Sequence, residues 1–163
     1  MPTVELRFAA LPAHVRTARL LAAVLARRAG IDESVIDEVK LAVGEACARA
    51  VGIHHAYAAA EEVVVELSDD DGRYVVTVRD RGPHEEDTAI AATGAAVAEL
   101  PDLVDVEELA EGDPGRTLPA GFGLAVIAGL VDDLDVTDAD PGTVVRMSWS
   151  PDGAGAAQGG ATD

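Results

Sequence analysis

Residues 37–51 read DEVKLAVGEACARAV, and this stretch decides the fold. Apolar residues recur every three or four positions, as in an amphipathic helix with one buried stripe. The stripe consists of Ile36, Val39, Val43, Ala46 and Ala50. Glu45 and Arg49 lie four residues apart and therefore share one helix face. They form either a surface ion pair, worth about 0.3–0.5 kcal/mol, or part of a ligand site, and the rest of the chain must decide between the two.

The composition favours one soluble domain with an acidic surface. The chain has 163 residues, 48% of them apolar, which is enough for one substantial core. Twelve basic and 30 acidic residues give a net charge of −18. A charge of this sign repels phosphates, which argues against direct binding to nucleic acid or to an anionic membrane. It fits a basic protein partner, and it fits solubility alone equally well.

Cys47 is the single cysteine of the chain, which excludes an internal disulfide and a cysteine-rich metal site. Its small and apolar neighbours predict an inert, buried thiol. The N-terminal sequence MPTVELRFAALP has no basic segment followed by a long apolar run. No stretch approaches the ~20 apolar residues that span a bilayer. We therefore expect a cytoplasmic protein.

The opening stretch lies within the second of two predicted helices, and strands are expected before and after this pair. Before the stretch we expect a strand at Thr3–Phe8 and a helix from Pro12 to Gly30. The helix that contains the stretch is capped by Asp32 and extends to about Gly52 or to the histidines. After it we expect strands at Glu61–Ser68 and Arg73–Asp80. Asp71-Gly72 joins the last two strands, and this dipeptide is a strong hairpin signal. A strand–helix–helix–hairpin order begins an α+β fold.

The C-terminal half completes the predicted architecture. We expect a lid-like region over residues 81–120 with a helix around Thr88–Leu100, a helix over Gly121–Leu130, strands at Leu134–Thr137 and Thr143–Trp149, and a disordered tail over 151–163. So long a connection in a compact domain is usually functional. Residues 1–150 are thus predicted to form one α+β domain, a two-layer sandwich with helices on one face of a mostly antiparallel mixed sheet.

Two further segments have the composition of ligand sites. Gly121-Phe-Gly123 opens a helix, where glycines and free N–H groups favour a phosphate, although such a segment is often only a tight turn. Asp80-Arg-Gly82 ends a strand, where a carboxylate can accept a hydrogen bond from a ligand amine, such as that of adenine. The alternative for this aspartate is that it simply opens a turn.

The succession of these segments resembles the GHKL ATP-binding fold of gyrase B, Hsp90 and histidine kinases. Within that superfamily it is most similar to the serine-protein kinases that act as anti-sigma factors in bacterial partner switching. The similarity to their N-box helix lies in residues 37–47, in Arg49-Ala50-Val51 and in His55-Ala56-Tyr57. The resemblance extends from about Pro12 to Trp149.

The resemblance implies a role for each matching residue. Glu45 matches the acid that orients or deprotonates the attacking group, and Asp80 matches the aspartate that recognises adenine. The remaining matches are Gly82 beside that aspartate, Gly121, Gly123 and Leu124 in the glycine box that closes over the phosphates, and Thr143, which helps to hold adenine. The implied cofactor is ATP or ADP.

Several residues depart from the family's pattern. Arg49 stands where the family has an asparagine that helps to hold Mg²⁺, and a guanidinium has no acceptor with which to bind a cation. Arg49 is expected to repel Mg²⁺ and to pair with Glu45, or else to bind a nucleotide phosphate directly. Two residues are inserted before His55, and Pro83-His84 replaces the second glycine of the first glycine box. His54 and His55 point about 100° apart on a helix and lack a third ligand, so no metal site is expected.

The leading functional hypothesis implied by the resemblance is an anti-sigma factor-like regulator with altered ATP binding. Its partners would be a sigma factor and a STAS-type anti-anti-sigma factor, and it would form a homodimer. The candidate partner surface is the first helix, with His14, Arg16, Arg19, Arg27 and Arg28, unless these are simply solvated charges. The alternative is an active serine-protein kinase that phosphorylates the STAS partner with Glu45 as base. A third possibility is a nucleotide sensor without a sigma partner.

Overall fold

The structure is a computed structural model that describes residues 2–57, 60–82 and 122–151. Its elements are β1 (Val4–Phe8), α1 (Pro12–Arg28), a 3₁₀ turn (Glu33–Val35), α2 (Ile36–Ala56), β2 (Val63–Asp70), β3 (Arg73–Arg79), α3 (Phe122–Ala128), β4 (Asp133–Asp138) and β5 (Thr143–Trp149). These agree with the predicted elements within two or three residues. The lid-like region beyond residue 82, with its predicted helix at 88–100, and the tail beyond residue 151 lie outside the described residues.

The five described strands form one sheet in the order β1-β2-β3-β5-β4. All four of these pairings are antiparallel. The β2–β3 turn has φ of 51° at Asp71 and 76° at Gly72, as the predicted two-residue hairpin requires. The α+β two-layer architecture expected from the sequence is therefore confirmed.

The core lies between the sheet and the helices, with α2 at its centre. All five stripe residues of α2 are buried, as the periodicity predicted. Helix α1 packs on α2, and four of its buried residues are small, namely Ala18, Ala22, Ala23 and Ala26. Cys47 is fully buried, and this burial raises the pKa of its thiol to about 12. The prediction of a buried thiol is confirmed.

The centre of the sheet positions the ends of two strands side by side. Strands β3 and β5 pair in a register that places Arg79 opposite Val144. Consequently Asp80, which follows β3, and Thr143, which begins β5, meet at the same end of the sheet. Within the part of the chain that the structure describes, no helix is long and apolar enough to cross a membrane.

Candidate functional site

The backbone at the end of β3 lies unusually close to the start of β5. The amide of Asp80 donates a hydrogen bond to the carbonyl of Thr143 at 3.1 Å. Gly142 has φ of +108°, and a Cβ on it would lie 1.9 Å from the carbonyl oxygen of Asp80. Only glycine combines this conformation with so close an approach. Gly142 therefore sets the position of Asp80 against the neighbouring strand.

The carboxylate of Asp80 is buried and hydrogen-bonded on both oxygens. Its Oδ1 accepts the backbone amides of Gly82 at 3.1 Å and Thr143 at 3.3 Å. Its Oδ2 accepts from Nη1 of Arg49 at 3.1 Å. The side chains are 2% and 14% exposed for Asp80 and Arg49, and a charge buried to this degree needs such a partner. The sequence-predicted Asp80, Gly82 and Thr143 are thus brought together, and Arg49 is bonded to Asp80.

The prediction that Arg49 pairs with Glu45 is wrong. Both residues project from α2, but Arg49 lies one turn nearer the helix C-terminus and reaches the buried carboxylate of Asp80. The arginine that faces Glu45 is Arg19, whose side chain crosses α2 over Gly44. The i,i+4 spacing places Glu45 and Arg49 on one face and does not decide which third residue each contacts.

Glu45 forms a second, separate part of the site. Its Oε2 lies 3.6 Å from the point where a Cβ on Gly123 would be, so the carboxylate lies against the start of α3. Partial burial raises the pKa of Glu45 above its ordinary value, and the charge of Arg19 opposes this shift. Among the described residues, no hydrogen bond or ion pair of the Glu45 carboxylate is found. A half-buried carboxylate of this kind accepts a proton more readily than an exposed one.

Two residues of the predicted site, Gly82 and Leu124, have packing roles. A Cβ on Gly82 would lie 1.9 Å from Cγ2 of Ile53, so glycine is required where this segment crosses α2. Leu124 is buried in the apolar core. Gly121 lies outside the described residues. Sequence patterns do not separate a glycine that packs against a helix from one that approaches a ligand.

His54 is a residue of this region that sequence analysis did not connect with Asp80. The side chain is buried, and its Nε2 accepts the amide of Arg81 at 2.9 Å. Its Nδ1 lies 3.0 Å from the carbonyl oxygen of Glu61. Because Nε2 accepts, Nδ1 carries the proton and donates to Glu61. The signal in the sequence was its place four residues after Ala50, at helical spacing on the buried stripe.

Both ring nitrogens of His54 are thus hydrogen-bonded to backbone groups. His55 also bonds the backbone, since its Nε2 lies 2.7 Å from the carbonyl oxygen of Ala10. Within residues 2–57, 60–82 and 122–151, no group of three His, Cys, Asp or Glu side chains is arranged to hold a metal ion. What the region presents is a buried carboxylate that is held by two backbone amides and one guanidinium.

Sequence comparison relates the chain to an ATPase domain family and to two serine-protein kinases. Residues 8–149 match the histidine kinase-like ATPase domain family. The serine-protein kinase RsbW of Oceanobacillus iheyensis is 32% identical over 148 residues, which cover 89% of this chain and 84% of the relative. The RsbW of Bacillus pumilus is 30% identical over 155 residues, with coverage of 89% and 83%.

Solved structures with the same fold include a chain that contains two named domains, and a complex. The RsbU and RsbW domains of a Mycobacterium tuberculosis protein match with a TM-score of 0.60 at 19% identity, over 92% of this chain and 32% of that longer chain. The SiaB–SiaC complex of Pseudomonas aeruginosa matches with a TM-score of 0.60 at 13% identity, over 90% and 88% of the two chains. At these identities the likeness shows the fold alone. The domain match and the two kinases show the family as well: the chain belongs to the histidine kinase-like ATPase domain family, in its RsbW-like group.

Proposed function

We propose that this protein is an anti-sigma factor-like regulator of a bacterial partner-switching system, which binds a sigma factor and a STAS-type anti-anti-sigma factor and whose ATP binding is weakened or altered. Membership of the ATPase domain family implies a nucleotide site, and the relatives are named serine-protein kinases. The observation that carries the proposal is Arg49, which stands in the place of the family's magnesium-binding asparagine and is paired with Asp80.

The residues fit a nucleotide base better than they fit Mg²⁺. Asp80 is a carboxylate fixed by the amides of Gly82 and Thr143, and a carboxylate accepts a base amine such as that of adenine. Mg²⁺ takes near-octahedral oxygen ligands, whereas Arg49 offers only donors and a positive charge. ATP or ADP would be held by Asp80, Gly82 and Thr143, with the glycine box containing Gly123 near the phosphates. ATP would supply the phosphoryl group to any transfer reaction.

The surface of α1 supports a role in protein binding. Leu20 and Val24 are 54% and 53% exposed, one turn apart on this helix. The exposed Arg16 and Arg28 lie on the same helix, and Arg27 bonds Glu33 through Nε at 2.8 Å. Exposed apolar side chains with basic neighbours are typical of interfaces. The overall charge of −18 additionally complements basic surfaces of a DNA-binding partner.

One observation favours the second candidate, an active kinase acting on the STAS partner. Glu45 keeps a carboxylate with a raised pKa that is unpaired among the described residues and faces Gly123. A group of this kind is suited to general-base chemistry. Arg49→Asn would restore the metal-binding side chain. If this substitution creates phosphotransfer that the natural protein lacks, kinase activity is a property of an ancestor and not of this protein.

Two experiments on the purified protein test the proposal. Calorimetric titration with ATP and ADP, with and without Mg²⁺, is expected to show binding that does not depend on the metal. Co-purification from the native host is expected to recover a sigma factor and a STAS protein. Magnesium-dependent binding at micromolar affinity together with phosphorylation of the STAS partner would establish the kinase instead. Recovery of neither protein partner would refute the regulator.

A further inference from the structure

Arg49 and Asp80 form the most deeply buried ion pair in the described part of the chain. They lie 31 positions apart in the sequence and join α2 to the end of β3. By contrast, the long-range pair of Arg146 and Asp70 has side chains that are 41% and 60% exposed. Removing one member of a buried pair leaves an uncompensated charge, which is strongly destabilising. Arg49 thus supplies the positively charged partner that the Asp80 side chain needs in order to remain buried.

Of the two carboxylate oxygens of Asp80, one has a hydrogen-bond partner that a ligand can replace. Oδ1 is fixed by two backbone amides, that of Gly82 two residues further along the chain and that of Thr143 at the start of β5. Oδ2 is held by a side chain, that of Arg49. A side chain can rotate away, so Oδ2 is the oxygen that a ligand amine can reach. If Arg49 stayed in place, the amine of a ligand that approached Oδ2 would in addition be repelled by the positive charge of the guanidinium.

We propose that Arg49 is an internal competitor of the nucleotide base: its guanidinium occupies the Asp80 oxygen that a base amine requires, and the base binds by displacing it. This inference rests on the proposed nucleotide site and adds how that site is regulated. Because Arg49 satisfies Asp80 in the absence of ligand, the empty site is stable. The same contact lowers the affinity for nucleotide by the free energy needed to break the ion pair.

The test compares the natural protein with Arg49→Met, which keeps the length of the side chain and removes its charge and donors. Adenosine, ADP and ATP are titrated calorimetrically with a chelator present, so that metal plays no part. Binding of all three ligands is expected to tighten at least tenfold in Arg49→Met, because the competition is for the base. Arg146→Met, which breaks an exposed arginine–aspartate pair, is the matched control and is expected to leave all three affinities unchanged.

Each other outcome overturns the inference in its own way. Equal affinities in the natural protein and in Arg49→Met would refute the competition and leave the nucleotide site standing. Weaker binding of ADP and ATP, with adenosine unaffected, would show that Arg49 binds phosphates. If neither protein binds any of the three ligands, the nucleotide site and its competitor both fail.

A measurement on the natural protein covers the case in which Arg49→Met does not fold. The guanidinium protons of Arg49 are expected to exchange slowly with solvent in the free protein, because they lie in a buried ion pair. Saturation with adenosine is expected to remove this protection, as followed by nuclear magnetic resonance. Protection that persists at saturation would refute displacement.

Discussion

His54 accepts a hydrogen bond from the backbone amide of Arg81 at 2.9 Å, and this contact ties the last turn of α2 to the segment between Asp80 and Gly82. The other ring nitrogen bonds the carbonyl of Glu61, which precedes β2. One buried side chain thus connects the central helix to two loops at the same end of the sheet. It holds in place the backbone on which the Asp80 carboxylate depends.

Replacing His54 by alanine is expected to destabilise the protein by about 3 kcal/mol. The substitution leaves a cavity and two backbone groups without partners, each of which carries a cost. Urea denaturation measures the change. His55→Ala removes a more exposed side chain with one hydrogen bond and is expected to cost about 1 kcal/mol or less. Equal losses in the two variants would mean that His54 does not anchor these loops.

Gly82 and Gly52 are expected to respond oppositely to alanine. At Gly82 the new Cβ would lie 1.9 Å from Ile53, so the segment must shift away from α2, and a loss of about 2–3 kcal/mol is expected from overpacking. At Gly52 nothing lies within 4 Å, and alanine in a helix interior gains up to about 1 kcal/mol over glycine. Thermal unfolding of both variants tests this contrast. A stabilising effect of Gly82→Ala would contradict the close contact.

The fold could be predicted from the sequence because its decisive signals are local. The stripe from Ile36 to Ala50 fixes the buried face of α2 through its period alone, and Asp71-Gly72 fixes a hairpin through its backbone conformation. The contacts within the candidate site could be predicted only in part. Asp80, Gly82 and Thr143 come together as the resemblance implied, but the partner of Arg49 lies 31 residues away. No spacing rule reports such a contact, and burial of His54 does not reveal which backbone groups it bonds.

Glu45 is expected to make stability depend on pH. Its pKa is raised by burial, so the folded protein binds this proton more tightly than the unfolded chain does. Stability therefore falls as the pH rises from the ordinary glutamate range through the raised pKa, and the penalty is constant above it. Glu45→Gln removes the penalty. The variant is expected to unfold at a higher temperature than the natural protein at neutral pH and at the same temperature at low pH.

A matched acid separates this effect from a general change of charge. Glu33 is exposed, and its bond to Arg27 lowers its pKa. Glu33→Gln is therefore expected to have the opposite dependence: any loss of stability appears above the ordinary glutamate pKa and vanishes as the pH falls through the lowered value. If Glu45→Gln and Glu33→Gln shift the unfolding temperature in the same direction at neutral pH, the assigned burial of Glu45 is wrong.

The apolar face of α1 provides a test of partner binding that is independent of the nucleotide site. Leu20→Glu and Val24→Glu place a charge on side chains that are already half exposed, so stability is expected to change by about 0.5 kcal/mol or less. Binding to the proposed partners, a sigma factor and a STAS protein, is expected to weaken at least tenfold, as measured by surface plasmon resonance. Leu11→Glu, at another exposed apolar position just before α1, is the control. Unchanged affinities would place the interface elsewhere.

A double-mutant cycle on Arg49 and Asp80 measures what the ion pair contributes to the free energy of unfolding of the nucleotide-free protein. Arg49→Met and Asp80→Asn are each expected to cost about 3–5 kcal/mol, since each leaves the other member of a buried pair without its partner. The double variant is expected to be more stable than the sum of the two losses predicts, by up to about 3 kcal/mol of coupling. Denaturation of the four proteins in the absence of nucleotide gives this value. Additive losses would mean that the two residues act independently, and the guanidinium would then no longer explain why a carboxylate can remain buried at this site.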